Sequence, residues 1–175
     1  MQLPNNKIRL YIFTIVLTSV LYLFDGFIPK PAPWLRIGFS NIVFLIILKN
    51  GGLSLVDLLI VVVFRNIICS ILTGSLLGPM FIISFISSFA SIITMRLLFS
   101  VFREKIGFIG VSVVGACVNM AAQISVGSLL VFHNFILVNA LLYFLAFAYI
   151  SGIITGIVAN KVEKLFCSNL GYYHK

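Results

Sequence analysis

The chain has 175 residues, of which 61% are hydrophobic and 9% are charged, and its mean hydropathy is +1.19. Soluble domains average about 45–50% apolar and about 25% charged residues, so this composition predicts an integral membrane protein. Four acidic residues and two histidines leave few groups for acid–base or metal chemistry, which argues against most enzyme classes. The net charge of +8 comes from basic residues scattered between apolar runs, unlike the basic stripe of a nucleic-acid-binding protein.

Charges, prolines and glycines divide the chain into six apolar segments. A spanning helix needs about 20 residues, so the chain has room for five or six spans and no soluble domain beside them. We therefore predict a single all-α transmembrane domain over residues 1–175, with helices at 8–24, 35–48, 53–72, 80–99, 106–132 and 135–160. The second segment rises only about 21 Å, so it borrows flanking residues, thins the bilayer, or forms a re-entrant half-helix.

The basic residues favour six spans with both termini in the cytoplasm. In that topology nine of the twelve basic residues lie on the cytoplasmic side, as the positive-inside rule requires. A re-entrant second segment would invert the later spans and place Arg103, Lys105, Lys161 and Lys164 outside, against that rule. The remaining three basic residues are Lys30 and Arg36 in the first external loop and Arg65 inside the third span.

The first external loop, residues 25–36, is the longest polar stretch between the predicted helices. Its prolines, Pro29, Pro31 and Pro33, restrict the backbone and predict a semi-rigid, extended loop. Trp34 is either an interfacial anchor or a residue that stacks on a ligand.

Arg65 is the one charged residue expected deep inside a span. An arginine at the bilayer centre costs about 2.5–3.5 kcal/mol on insertion scales, so it needs a compensating role. It either binds an anionic group at the base of an external cavity, or it is structural, pairing with Asp25 or Asp57 or snorkelling outward.

The fifth segment carries two glycines and two amides at successive i+4 spacing, Gly115, Asn119, Gln123 and Gly127. The two amides either hydrogen-bond to a neighbouring helix or contact a ligand. Other small or hydroxyl-bearing sets are read as packing faces: Ser84, Ser88 and Ser91, Thr14 and Thr18, and Gly152 with Gly156.

Several motifs are absent from the sequence. It has no glycine-rich phosphate loop ending in Gly-Lys-Ser/Thr, no histidine within a span, and no closely spaced acidic pair for an aspartate-rich magnesium site. The three cysteines show no metal-binding or disulfide spacing and are interpreted as packing residues. We expect no catalytic residue, no cofactor and no metal site.

The string Ile-Pro-Lys-Pro-Ala-Pro-Trp-Leu-Arg-Ile-Gly-Phe-Ser-Asn, residues 28–41, resembles a small bacterial membrane family. That family is called Gx transporter or heptaprenyl diphosphate synthase component I. Arg65, Thr73-Gly74, the Gly110–Ala116 string and Gln123 carry the same resemblance, which covers about residues 24–127. The chain departs from the expected pattern at two places, with Asp25 in place of glutamate and Asn119-Met120 in place of a histidine–asparagine pair.

The family is similar to the substrate-binding (S) components of energy-coupling-factor transporters. This resemblance implies a six-helix bundle in the bacterial cytoplasmic membrane, an outward-facing pocket covered by the first loop, and a coupling subunit powered by separate ATPases. It also implies that Thr14 and Thr18 form the small-residue pair that contacts the coupling subunit.

These observations predict a non-enzymatic membrane subunit that captures a small anionic or amphiphilic solute at the outer face. We expect Lys30, Arg36 and Arg65 to supply charge, Asn41, Asn119 and Gln123 to supply hydrogen bonds, and Trp34 to help cover the pocket. Two alternatives stay open. One is an accessory subunit for polyprenyl diphosphate or quinone metabolism, or for flavin-linked electron transfer, with a polyprenyl synthase or a flavoprotein as partner. The other is a scaffold without a ligand.

Overall fold

A computed structural model describes residues 3–28, 37–50, 53–76, 78–102, 106–132 and 141–170. Within these ranges the chain forms six α-helices and no β-strand. They are α1 (Leu3–Phe27), α2 (Asn41–Asn50), α3 (Leu55–Leu72), α4 (Pro79–Phe102), α5 (Phe108–Gly127) and α6 (Leu141–Leu170), and a π-helical turn, Ser128–Phe132, continues α5. All except α2 are long and apolar enough to cross a membrane. The chain is therefore a multi-pass helical membrane protein.

The helix bounds differ from the predicted segments, most of all at α2 and α6. α2 begins at Asn41, six residues later than predicted, because Gly38 has a φ of 93° that no α-helix includes. α6 continues ten residues past the predicted end, since helical hydrogen bonding does not stop where the apolar run stops. The start of the sixth predicted segment, residues 135–140, lies outside the described residues.

Although α2 has only 10 residues, the segment that contains it crosses the bundle. α1 and α3 run parallel, because Tyr11 donates its hydroxyl hydrogen bond to Asp57 near their starts, whereas Cys69 contacts the Ser19 carbonyl oxygen further along both helices. A re-entrant second segment would have made them antiparallel. The chain thus returns between α1 and α3 to the end of the bundle where it began.

α2 lies in the interior of the bundle. Phe44 and Leu45 are completely buried, and Ile42, Val43 and Leu48 are nearly so. The apolar side chains of α2 point to every side of the helix, which suits a helix that is surrounded by other helices. The second of the six predicted spanning helices is thus a short buried helix.

The two ends of the bundle differ in chemistry. Two ion pairs lie at the end that holds the start of α1: Lys7 Nζ is 3.2 Å from Asp57 Oδ2, and Lys49 Nζ is 3.0 Å from Glu163 Oε1. We call this end the clamp end. The opposite end holds a small polar cavity, and we call it the cavity end. Because Glu163 belongs to α6, the start of α1 and the C-terminal half of α6 lie at the same end of the bundle.

α5 and α6 pack backbone against backbone. A Cβ atom on Gly152 would lie 2.7 Å from Val113 Cα, and one on Gly156 would lie 2.7 Å from Ile109 Cα. Between them, the hydroxyls of Ser112 and Thr155 are 2.8 Å apart. The prediction that Gly152 and Gly156 form a packing face is confirmed, and the reason is the close approach that only glycine allows.

The bundle buries polar side chains and exposes apolar ones. On α1, Thr14 and Thr18 are completely buried, whereas Ile12, Val16 and Val20 are each more than half exposed. Lipid solvates apolar side chains and offers no hydrogen bonds, so this distribution is the one expected within a bilayer. It supports the membrane assignment independently of composition.

Candidate functional site

A small polar cavity lies at the cavity end, between five helices. It is formed near the end of α1, at the start of α2, along α3, in the first half of α4 and in the second half of α5. Its lining consists of Tyr22, Asp25, Gly38, Ser40, Asn41, Arg65, Ser84, Ser87, Ser88, Asn119 and Gln123. Nearly all of these residues carry a hydrogen-bonding side chain, and Gly38 is the exception.

Arg65 connects three other helices at the cavity. Its guanidinium donates one hydrogen bond to Ser40 Oγ at 2.8 Å and another to Ser88 Oγ at 2.7 Å. The guanidinium carbon also lies 4.9 Å from the ring centre of Tyr22 and 5.6 Å from that of Phe44. Both distances allow cation–π attraction, which stabilises a cation that has been removed from water.

The structure excludes two of the readings of Arg65. The side chain does not snorkel outward, since Arg65 is only 1% exposed. Asp57 is not its partner, because that carboxylate lies eight residues away, about 12 Å along α3, and accepts hydrogen bonds from Tyr11 and the Ser54 backbone. Asp25 lines the same cavity as Arg65. Arg65 is thus a buried cation at a polar cavity, as the binding hypothesis requires.

Asp25 fixes the start of the α2 segment to the end of α1. Its two carboxylate oxygens accept hydrogen bonds from the backbone N–H groups of Ile37 and Gly38, both at 3.3 Å. A Cβ atom on Gly38 would lie 3.0 Å from Asn41 Nδ2 and 3.6 Å from Asn119 Nδ2. Glycine is therefore needed here both for its positive φ and for the room it leaves beside two cavity amides.

The residues spaced four apart along α5, Gly115, Asn119 and Gln123, have two different roles. Asn119 and Gln123 line the cavity, whereas a Cβ atom on Gly115 would lie 2.7 Å from Met95 Cγ, so Gly115 is a packing contact with α4. Ser91 supports this contact by donating a hydrogen bond to the Gly115 carbonyl oxygen at 2.9 Å. The alternative in which both amides serve only to join helices is not favoured by this placement.

The cavity combines one cation, one carboxylate, three amides and several hydroxyls. Arg65 and Asp25 give it no net formal charge, and the amides of Asn41, Asn119 and Gln123 offer both donors and acceptors. Such a lining can orient a polar solute through hydrogen bonds, with Arg65 as the group that attracts a carboxylate or phosphate. It offers little to an extended apolar chain.

In this conformation the cavity is very small. Its volume for the centre of a water molecule is about 10 Å³, which is room for about one water. Pockets that hold drug-sized ligands measure about 300–1,000 Å³. Binding of a solute therefore requires the helices around the cavity to move apart.

Four of the seven predicted binding residues line this cavity, and the other three are not among the described residues. Asn41, Arg65, Asn119 and Gln123, which lie far apart in the sequence, line the cavity together. Lys30, Trp34 and Arg36, together with the three prolines of the same loop, lie outside the described residues.

Thr14 and Thr18 do not lie on the surface of the bundle, where a partner subunit could contact them. Both are completely buried within this chain, and their hydroxyls donate hydrogen bonds to the Leu10 and Thr14 carbonyl oxygens of their own helix, at 2.6 and 2.7 Å. A partner helix cannot reach them in this conformation. The residues of α1 that face outward are larger and apolar, including Ile12, Val16 and Val20.

Sequence reasoning missed several residues that line the cavity. Tyr22, Asp25, Gly38, Ser40 and Ser87 were not assigned to a binding site, and Ser84 and Ser88 were read as a packing face. One available signal was the cluster Ser84, Ser87 and Ser88 on a single face of α4, together with Ser40 beside Asn41. Among the described residues no group of three or more histidine, cysteine, aspartate or glutamate side chains could hold a metal ion.

The family comparison agrees with the resemblance noted in the sequence. The family model of heptaprenyl diphosphate synthase component I matches residues 14–162, which include every described residue that lines the cavity. No curated protein and no solved structure matches the chain. Because the match extends over most of its length, the chain belongs to the heptaprenyl diphosphate synthase component I family.

Proposed function

We propose that this protein is the solute-binding membrane subunit of a transport system, and that it binds a small polar solute in the cavity around Arg65. It would lie in the bacterial cytoplasmic membrane with both termini in the cytoplasm, and the cavity would face outward. It performs no catalysis in this role. A coupling subunit with separate ATPases would supply the energy, as in the energy-coupling-factor transporters that the family resembles.

One observation carries the proposal: a cavity lined by hydrogen-bonding side chains inside a membrane bundle, built around a buried arginine. Arg65 is 1% exposed and Gln123 is 1% exposed, and burial of such groups is costly unless they are compensated. A bundle that needed only stability would fill this space with apolar side chains, as the clamp end does around Leu48 and Leu58. The retained polar groups therefore favour a binding role.

The charge balance of the cavity refines the nature of the solute. The sequence alone favoured an anionic or amphiphilic molecule, because the charged residues expected at the site, Lys30, Arg36 and Arg65, are all basic. Asp25 lies at the same cavity, and every lining residue except Gly38 carries a hydrogen-bonding side chain. These two features support a hydrophilic solute that presents a carboxylate, phosphate or carbonyl oxygen to Arg65 and donors to the amides.

The family description supports a second candidate. It names a component of heptaprenyl diphosphate synthase, which implies a partner subunit. In this alternative the protein is the membrane accessory subunit of a polyprenyl synthase, or of a flavoprotein in electron transfer. Co-purification separates the two candidates, because a coupling subunit with ATPases is expected for transport and a synthase or flavoprotein for the accessory role.

The test is mass spectrometry of small molecules retained by protein purified gently from its native membrane. We expect one polar compound to be enriched with the wild-type protein and lost from Arg65→Gln and Asn119→Leu. Arg96→Gln is the matched control, because Arg96 is an arginine of α4 outside the cavity lining. The control should retain the compound.

Two outcomes would contradict the binding proposal. If the wild-type protein retained no small molecule, the scaffold role would be favoured. If Arg65→Gln folded normally and retained the compound as well as Arg96→Gln does, the cavity would not be the binding site.

A further inference from the structure

Two buried polar side chains, Ser19 on α1 and Asn66 on α3, have no hydrogen-bond partner. Neither the Nδ2 nor the Oδ1 atom of Asn66 makes a hydrogen bond, and the Ser19 hydroxyl makes none. Asn66 is 1% exposed and Ser19 is 6% exposed. Both are outside the cavity lining, so the proposed solute site does not account for them.

The two side chains lie on neighbouring helices, at a similar height in the bundle. Cys69 Sγ is 3.7 Å from the Ser19 carbonyl oxygen, which places Ser19 against α3. Asn66 precedes Cys69 by three residues, so it lies about 4.5 Å from it along the helix axis, on a neighbouring face. We call Ser19, Asn66 and Cys69 the α1–α3 seam.

A buried amide and a buried hydroxyl within a membrane-spanning bundle require partners, because lipid cannot provide them. The chemistry of the two groups limits what the partner can be. Asn66 needs an acceptor for its Nδ2 hydrogens and a donor for its Oδ1 atom. The Ser19 hydroxyl can itself both donate and accept a hydrogen bond. A cation would satisfy the oxygens alone and an anion would satisfy the amide hydrogens alone.

We propose that the α1–α3 seam binds internal water, which hydrogen-bonds Asn66 and Ser19 within the membrane-spanning part of the bundle. Water is small enough for a closely packed helix interface and is both a donor and an acceptor. The site is independent of the proposed solute cavity, although Asn66 directly follows Arg65 on α3. Hydration of this seam explains how the bundle tolerates an asparagine among apolar neighbours such as Val62.

Hydroxyl-radical footprinting of the full-length protein in micelles tests the site, because radicals generated from bound water oxidise the side chains beside it. Cys69 is the reporter within the seam, and Met95 is the reporter in the apolar core, and both are completely buried. After correction for the intrinsic reactivity of cysteine and methionine, we expect Cys69 to be several-fold less protected than Met95. Equal protection of the two residues would overturn the proposal.

Two variants check that any oxidation of Cys69 comes from the proposed water. Ser19→Ala removes one hydrogen-bonding group with little change in shape, and Ser19→Ala combined with Asn66→Leu removes both. We expect Cys69 oxidation to fall in the single variant and to reach the level of Met95 in the double variant. If Ser19→Ala folded and oxidation of Cys69 stayed at the wild-type level, the assignment of water to these groups would be wrong, whether or not the double variant folds.

Discussion

The Lys49 ammonium lies 3.0 Å from each carboxylate oxygen of Glu163, although 114 residues separate the two in the chain. The same ammonium is 4.4 Å from the ring centre of Phe108 at the start of α5. One side chain at the end of α2 thus joins α5 and α6 at the clamp end. Lys7 and Tyr11 connect α1 to α3 there in a similar way, through Asp57.

We expect Lys49→Met to destabilise the protein more than Glu163→Gln. The Glu163 side chain is 11% exposed and the Lys49 side chain is 48% exposed. Loss of the lysine therefore leaves a mostly buried carboxylate, at a cost of about 1–3 kcal/mol after allowance for solvent at the lysine. Loss of the carboxylate leaves an ammonium that water can reach, which costs about 1 kcal/mol or less.

Chemical unfolding in micelles measures both free energies. Lys161→Met is the control, since Lys161 is exposed and makes no ion pair among the described residues. It should change the stability little. If the two variants of the pair cost equal amounts, the difference in burial would not govern this contact.

Gly152→Ala is expected to destabilise the α5–α6 contact by about 1–3 kcal/mol, because overpacking forces backbones apart. The obstructing atom is Val113 Cα, which cannot rotate away as a side-chain end could. Gly26→Ala is the matched control on α1, where a new Cβ would meet nothing within 4 Å. Thermal unfolding should show a lower midpoint for Gly152→Ala and an unchanged or higher one for Gly26→Ala, and equal midpoints would refute the close approach.

Asp25→Asn should loosen the start of the α2 segment. A carboxylate accepts both backbone N–H groups, of Ile37 and Gly38, whereas an asparagine side chain has one accepting oxygen and one donating nitrogen. Hydrogen exchange at these two amides should become faster, and the stability should fall by about 1–2 kcal/mol. Glu163→Gln, at the opposite end, should leave exchange at Ile37 and Gly38 unchanged. Protection of both amides in Asp25→Asn would show that the carboxylate does not hold them.

The orientation in the membrane is a prediction from the basic residues that thiol labelling can check. Lys161→Cys reports on the clamp end and Leu76→Cys on the cavity end, and both positions are exposed. In a background that lacks the natural cysteines, an impermeant maleimide applied to intact cells should label the cysteine at position 76 and leave the one at position 161 unmodified. The reverse pattern would place the cavity on the cytoplasmic side.

The sequence by itself determined the fold class, most of the helices and the family. Apolar runs of about 20 residues can satisfy their backbone hydrogen bonds within a bilayer only as helices, so composition and length suffice for that conclusion. Arg65 also stood out from the sequence, since a cation inside an apolar run needs a reason. The proline–tryptophan string and Gln123 were enough to identify the family that the comparison confirms.

Only the tertiary structure decided which polar residues meet. Asn41, Arg65 and Asn119 lie in three helices, and no periodicity within one helix shows that they line a common cavity. The same limit applies to Asp25, because only the structure shows that its carboxylate accepts hydrogen bonds from the Ile37 and Gly38 amides. This limit also applies to Thr14 and Thr18. A pair of small residues has the same sequence pattern whether it faces a partner subunit or the interior of its own bundle, where the structure places these two. Sequence period defines the faces of one helix, whereas contacts between helices depend on how the whole bundle packs.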